Sequence, residues 1–227
     1  MLKHYSIAID GPAGAGKSTI ARALAESLDI MYLDTGAMYR AFGLYAVRNG
    51  IDMDDARALA AAVDVADIEV RFRNGAQHVY LNGEDVSRAI REPEISSAAS
   101  RVSAVPEVRV RMVALQRRIA EGRSVVMDGR DIGTKVLPNA TLKIYLTASV
   151  EVRARRRFLE LEQKGMPEPY EKVLADMIER DYNDTHREAS PLCQAEDARL
   201  VDTSGLDLEQ SVALIRRMVL EKIGGQP

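Results

Sequence analysis

Ala8-Ile9-Asp10-Gly11-Pro12-Ala13-Gly14-Ala15-Gly16-Lys17-Ser18-Thr19 is the stretch on which the fold turns. The apolar run from Ser6 to Ile9 stops at Asp10, glycines follow at 11, 14 and 16, and Ser18 to Leu28 carries the pattern of a helix. Strand, loop and helix in that order, with Gly11 to Ser18 matching G-x-x-x-x-G-K-[ST], predict a phosphate-binding loop. Glycines let backbone N–H groups converge on a polyphosphate where a β-carbon would clash, and the positive end of the following helix adds to that field. The expected donor-nucleotide residues are therefore Gly11, Pro12, Ala13, Gly14, Ala15, Gly16, Lys17, Ser18 and Thr19. In such a loop the lysine reaches the β- and γ-phosphates of ATP and the hydroxyl of Ser18 ligates Mg²⁺.

Outward from the loop, strand and helix signals alternate. Met31 to Leu33 reads as a second strand ending in Asp34-Thr35-Gly36, and Ala37 to Asn49 has helical spacing of Met38, Ala41, Leu44, Tyr45 and Ala46. Tyr39 and Arg40 open that helix just beyond a strand end, where ligands sit in open α/β sheets. Ile68 to Arg73 and His78 to Leu81 alternate with period two around Asn74-Gly75, and Asn82-Gly83 makes a second turn. This predicts a small antiparallel meander inserted in a parallel fold, with His78 on its surface. Helices are expected over 94–104 and, after Pro106, over 107–121. Ser124 to Asp128 reads as a buried strand ending in an acid, followed by Gly129-Arg130-Asp131, with further strands at 142–147 and 200–202 and a closing helix at 206–223. The expectation is α/β: a parallel sheet with helices on both faces, in one domain without repeats or linkers.

The chain has 227 residues, 46% of them hydrophobic, which is enough for a sizeable core. Its net charge of −3 argues against a surface that coats nucleic acid. A single cysteine, Cys193, excludes an internal disulfide framework and fits a reducing compartment; it reads as an ordinary small residue. No signal peptide or membrane span is visible in the sequence, so a cytoplasmic location is expected.

Two arginine clusters remain. Arg153, Arg155, Arg156 and Arg157 crowd one helix, where 153, 156 and 157 can share a face, and Arg180, Asp184 and Arg187 fall at i, i+4 and i+7 on another. Solvated faces with internal ion pairs explain such clusters in general. Beside a triphosphate site, bidentate polyphosphate binding is the alternative, with the helices acting as a lid. A guanine-reading switch needs an Asn-Lys pair, which is absent, and a nucleic-acid motor or binder needs a longer chain or a basic, aromatic-rich surface. A phosphotransferase fits best.

The segments 9–19, 33–40, 68–88, D-G-R-D-I-G-T at 128–134 and E-R-D-Y-N-D-T-H-R at 179–187 carry a resemblance that runs nearly end to end. The sequence resembles the bacterial cytidylate kinases, of the nucleoside monophosphate kinase group. The resemblance implies five parallel strands, a single P-loop kinase domain over 1–227, a monophosphate-binding insertion at about 37–104 and a helical lid within about 151–189. It implies γ-phosphoryl transfer from ATP to CMP or dCMP by a monomer that binds neither nucleic acid nor membrane. Lys17, Arg153 and Arg157 take catalytic roles by this similarity, with Arg156 at the donor. Thr35 supplies a hydroxyl; Tyr39 and Arg40 belong to the acceptor site, and Arg40, Arg130 and Arg187 hold its phosphate. Arg180 and Asp184 resemble the ribose pair, and Ser100, Arg109 and Asp131 the cytosine-reading set, while Arg155 stays open as a lid contact. The alternatives are a kinase of the same fold acting on UMP or another small acceptor, and a triphosphate-dependent regulatory or nucleic-acid-binding protein.

Overall fold

The computed structural model describes residues 4–73 and 75–224. A five-stranded sheet has the order β2-β6-β1-β7-β8, with β1 Ser6–Asp10, β2 Met31–Asp34, β6 Val125–Gly129, β7 Leu142–Thr147 and β8 Arg199–Asp202. A separate three-stranded sheet is built from β3 Ile68–Arg73, β4 Ala76–Leu81 and β5 Glu84–Asp85. The chain divides into two compact units, one of residues 1–30 and 123–227 and one of residues 31–122.

In the first unit β1 pairs in parallel with β6 on one side and β7 on the other, and β7 pairs in parallel with β8. Ile7, Ala8 and Ile9 are fully buried, as are Val125, Val126 and Met127. Strands covered on both faces read as continuous apolar runs, which is how the sequence marked them. Helix α1, Lys17–Leu28, turns Ile20, Ala21, Leu24 and Ala25 inward. Between β1 and α1 the loop passes under β7: a β-carbon on Gly11 would lie 1.9 Å from the Leu146 carbonyl oxygen, and Gly11 has φ +149°. Only glycine fits there. Helices α6, Val150–Gln163, and α7, Tyr170–His186, pack through Ala154, Leu161, Val173 and Met177. Helix α8, Leu208–Ile223, begins two residues later than the apolar pattern suggested, because Asp207 and Gln210 form a reciprocal capping box.

In the second unit α2, Thr35–Arg48, starts two residues before its apolar periodicity, since the Asp34 side chain accepts from the Ala37 N–H and caps it. Gly43 lets α2 approach α4, Pro93–Val102: a β-carbon would sit 3.0 Å from the Ala99 nitrogen. Helix α5, Pro106–Ala120, follows. Helix α3, Ala56–Val65, was not evident from periodicity, because it buries only Leu59, Ala62 and Val63. Its available signal was Asp55, whose side chain accepts from the N–H groups of Arg57 and Ala58. In the meander Asn82 and Gly83 both have positive φ, 49° and 82°, as a two-residue hairpin turn requires. Asn74 of the other turn lies outside the described residues. His78 pairs with Asp85 at 3.0 Å on the surface.

Candidate functional site

Lys17 begins α1 and is buried, its Nζ donating to the Pro12 carbonyl at 2.7 Å. That bond folds the loop over its own lysine. Burial, reinforced by the nearby Arg130 guanidinium, pushes the Lys17 amine down to about 7, against the pull of Asp128 and Asp184. Ser18 donates from Oγ to Asp128 Oδ2 at 2.7 Å, so the hydroxyl and the acid at the end of β6 meet. A hydroxyl and a carboxylate are hard oxygen donors, and Mg²⁺ in phosphate sites takes one or two protein oxygens with substrate phosphates and water. The pair fits that ion. Among the described residues no group of three or more His, Cys, Asp or Glu could hold a metal by itself.

Asp10, the last residue of β1, accepts from the N–H groups of Ile132 and Gly133 at 2.8 and 2.7 Å. These bonds pin the single π-turn of Ile132–Val136 that follows Arg130 and Asp131. Burial pushes the Asp10 carboxyl up to about 6 in spite of the two amides that favour its charge. The buried Asp131 closes the same turn through its carbonyl, which accepts from the N–H groups of Lys135 and Val136.

A second cluster in this unit joins three arginine and aspartate residues named from sequence. Arg130 donates from Nε to Asp184 Oδ2 at 2.6 Å, and Arg187 Nη1 lies 3.7 Å from Asp184 Oδ1. Burial raises the Asp184 carboxyl, but Arg130, Arg180 and Arg187 more than offset this and hold it below the ordinary aspartate value. Arg187 also donates from Nε to the Ser190 carbonyl at 2.7 Å.

Residues 153, 156 and 157 lie at i, i+3 and i+4 of the continuous helix α6, and the four arginines of that helix reach different partners. Arg153 is buried and fully engaged: Nε donates to the Ala148 carbonyl, Nη1 to the Ala13 carbonyl, and Nη1 and Nη2 to the two oxygens of Asp181 at 3.1 and 2.6 Å. It clamps the loop to α6 and α7. A β-carbon on Gly14 would come within 3.2 Å of Arg153 Cβ, so the helix lies directly on the loop. Arg156 donates to the Thr203 carbonyl at 2.8 Å, and Arg157 pairs with Glu160 at 3.0 Å on the surface. Arg155 stacks its guanidinium over Phe158, 5.4 Å from the ring centre.

The second unit holds its own set. Arg40 donates from Nη2 to Asp34 Oδ2 at 2.8 Å, and Arg91 approaches the same oxygen at 3.4 Å. Thr35 is buried in the first turn of α2. Arg109 is buried with its guanidinium 5.4 Å from the ring centre of Tyr39, and donates from Nη1 to the Ser103 carbonyl at 3.0 Å. Ser103 in turn donates from Oγ to the Ser100 carbonyl at 2.9 Å, so Ser100, Arg109 and Tyr39 are linked.

Asp10, Asp34, Asp128 and Asp181 were not selected as site residues from sequence. Three of them shared a readable signal, an acid closing a strand whose carboxyl end faces the ligand side of an α/β sheet. Asp181 had only its place one residue after Arg180.

The cytidylate kinase family model matches residues 7–221. A cytidylate kinase from Caldicellulosiruptor bescii is 51% identical over 209 residues, covering 92% of this chain and 92% of its own. One from Lactobacillus gasseri is 50% identical over 216 residues, covering 95% and 94%. Among solved structures, an uncharacterized protein from Eubacterium ventriosum superimposes with a TM-score of 0.51 at 13% identity, covering 95% of this chain and 98% of its own, a likeness of fold alone. With a family model spanning nearly its whole length and relatives at half identity, this chain belongs to the cytidylate kinase family.

Proposed function

We propose that this protein transfers the γ-phosphoryl group of ATP to CMP, giving CDP and ADP, and that dCMP is also an acceptor. The observation that carries the reading is the first unit's charge arrangement. A buried lysine under a glycine loop stands beside an Arg130–Asp184–Arg187 cluster, so cationic groups are gathered where phosphates would be received. The acceptor's phosphate has a second pKa of about 6 and is largely ionised at neutral pH, so no general base is required. Rate enhancement then comes from alignment and charge neutralisation, with Lys17 and arginine side chains spreading over the oxygens of the group in transfer.

Ser18 and Asp128 are the residues that would hold Mg²⁺, which when bound neutralises developing phosphate charge. Arg153, clamped between Ala13 and Asp181, orders the loop, and Arg156 and Arg157 are proposed to turn toward nucleotide from Thr203 and Glu160. The insertion at about 37–104 is proposed for acceptor binding and the segment at about 151–189 for lid closure, which excludes water that would otherwise take the phosphoryl group. Thr35, Tyr39, Arg40, Ser100 and Arg109 of the second unit and Arg130, Asp131, Arg180, Asp184 and Arg187 of the first are the proposed acceptor residues. The enzyme is proposed to act as a cytoplasmic monomer on free nucleotides; its net charge of −3 supports small-molecule substrates over nucleic acid.

Cytosine presents an exocyclic amine, which a carboxylate such as that of Asp131 complements as acceptor. Uracil sets a carbonyl against the carboxylate instead. Asp131→Asn is therefore expected to lower the CMP-to-UMP ratio of kcat/KM by about tenfold or more, while kcat with saturating CMP falls less. Steady-state kinetics with both acceptors reads this out, and an unchanged ratio would remove Asp131 from base recognition.

A further inference from the structure

Within the second unit, one side chain of the inserted meander reaches the residue that holds Arg40. Gln77 of β4 takes both polar atoms of a single residue's backbone: the Asp34 N–H donates to its Oε1 at 2.8 Å, and its Nε2 donates to the Asp34 carbonyl at 3.1 Å. Only this orientation of the carboxamide satisfies both; reversed, it would set donor against donor. The backbone of Asp34 is thereby fixed at the point where β2 ends and α2 begins. Its carboxylate is divided between two tasks, Oδ1 accepting from the Ala37 N–H at 2.9 Å and Oδ2 from Arg40 Nη2 at 2.8 Å. Gly36 leaves room for that pair, since a β-carbon there would stand 3.2 Å from both Arg40 Nη1 and Asp34 Oδ1. Arg40 Nε is buried and has no hydrogen-bond partner among the described residues, while Asp34 engages the guanidinium through Nη2.

We propose that Gln77 is a positioning residue for the acceptor phosphate: its carboxamide fixes the backbone of Asp34, and through the Asp34 carboxylate it sets the orientation of the Arg40 guanidinium. This rests on the reading of Arg40 as a phosphate-binding residue of the acceptor site. It also gives the meander a role, because a guanidinium receiving a phosphate in line must be held to a fraction of an ångström. A contact that served only to dock the meander would have no preference for phosphorylated ligands.

The test compares Gln77→Met, close in volume and lacking both hydrogen bonds, with Gln77→Glu, which keeps the acceptor and meets the Asp34 carbonyl with a carboxylate. Each is expected to raise KM for CMP about tenfold, with KM for ATP within about twofold. The affinity for cytidine, measured as competitive inhibition, is expected to stay within about twofold, because cytidine lacks the group that Arg40 receives. In an Arg40→Ala background Gln77→Met is expected to add less than about twofold. Equal weakening of CMP and cytidine, or a full additional effect without Arg40, would make Gln77 structural only and overturn the proposal. Normal CMP kinetics in Gln77→Met beside a damaged Arg40→Ala would overturn it while leaving the acceptor reading standing. Normal CMP kinetics in Arg40→Ala itself would remove that reading and this proposal with it.

Discussion

Lys17→Ala is expected to lower kcat by about 1,000-fold or more while the protein stays folded. Arg130 and Arg153 of the first unit are held elsewhere, Arg130 by Asp184 and Arg153 by Ala13, Ala148 and Asp181. Burial and Arg130 hold Lys17 at about 7, so at pH 7.5 much of it is neutral until negative phosphates arrive and favour the charged form. Binding of Mg-ATP is then expected to take up a proton at pH 7.5. Calorimetry in buffers of different ionisation enthalpy detects it, and the uptake should vanish in Lys17→Ala. The linkage has a definite sign. Between about 7 and 10.5 the unfolded chain binds more protons at this lysine than the folded one, so its contribution makes stability rise with pH across that window. Below it the burial penalty is fully present, and Lys17→Ala is expected to melt no lower than the parent at pH 6. Near-parental turnover by a folded Lys17→Ala protein would defeat the role assigned to the loop.

Arg130→Ala is expected to lower kcat/KM for CMP by about 100- to 1,000-fold. It should also cost about 1–3 kcal/mol of stability, because Asp184 is left in a buried place with weaker partners. Arg187 at 3.7 Å and Arg180 moderate that loss without cancelling it. The two effects separate in the double variant Arg130→Ala/Asp184→Ala, which removes the stranded carboxylate. Its stability is expected to recover in chemical denaturation while its activity stays low. Lysine at 130 should rescue poorly, since the 2.6 Å bond uses Nε and leaves the guanidinium's other nitrogens directed elsewhere, a division that a single ammonium cannot reproduce. Full activity in Arg130→Ala would show that the cluster serves only to hold α7 in place.

The fold was legible where one physical cause dominated. Glycines at 11, 14 and 16 followed by Lys17 admit few backbones, and the parallel strands announced themselves as apolar runs because both of their faces are covered. Helix α3 escaped because three buried side chains make too short a stripe, and the π-turn at Ile132–Val136 because its cause, the Asp10 carboxylate, lies more than a hundred residues away in sequence. The same limit applied to the candidate site. Arg130, Asp184 and Arg187 come together in the structure; spacing already put Asp184 and Arg187 on one face, whereas the pairing of Arg130 with Asp184, 54 residues apart, left no trace in it. Arg153, 156 and 157 share a helix face by arithmetic, yet Asp181, Thr203 and Glu160 draw them in three directions. Gln77 had no sequence signal at all. A polar residue in an alternating strand is expected to meet water, and only the fold places Asp34 opposite it.

The most direct measurement is ADP release by the purified protein with Mg-ATP and, in turn, CMP, dCMP, UMP, AMP and GMP. The account predicts kcat/KM for CMP and dCMP about tenfold or more above UMP, with the two purine monophosphates lower still. Equal turnover of UMP and CMP, or none with CMP, would contradict it.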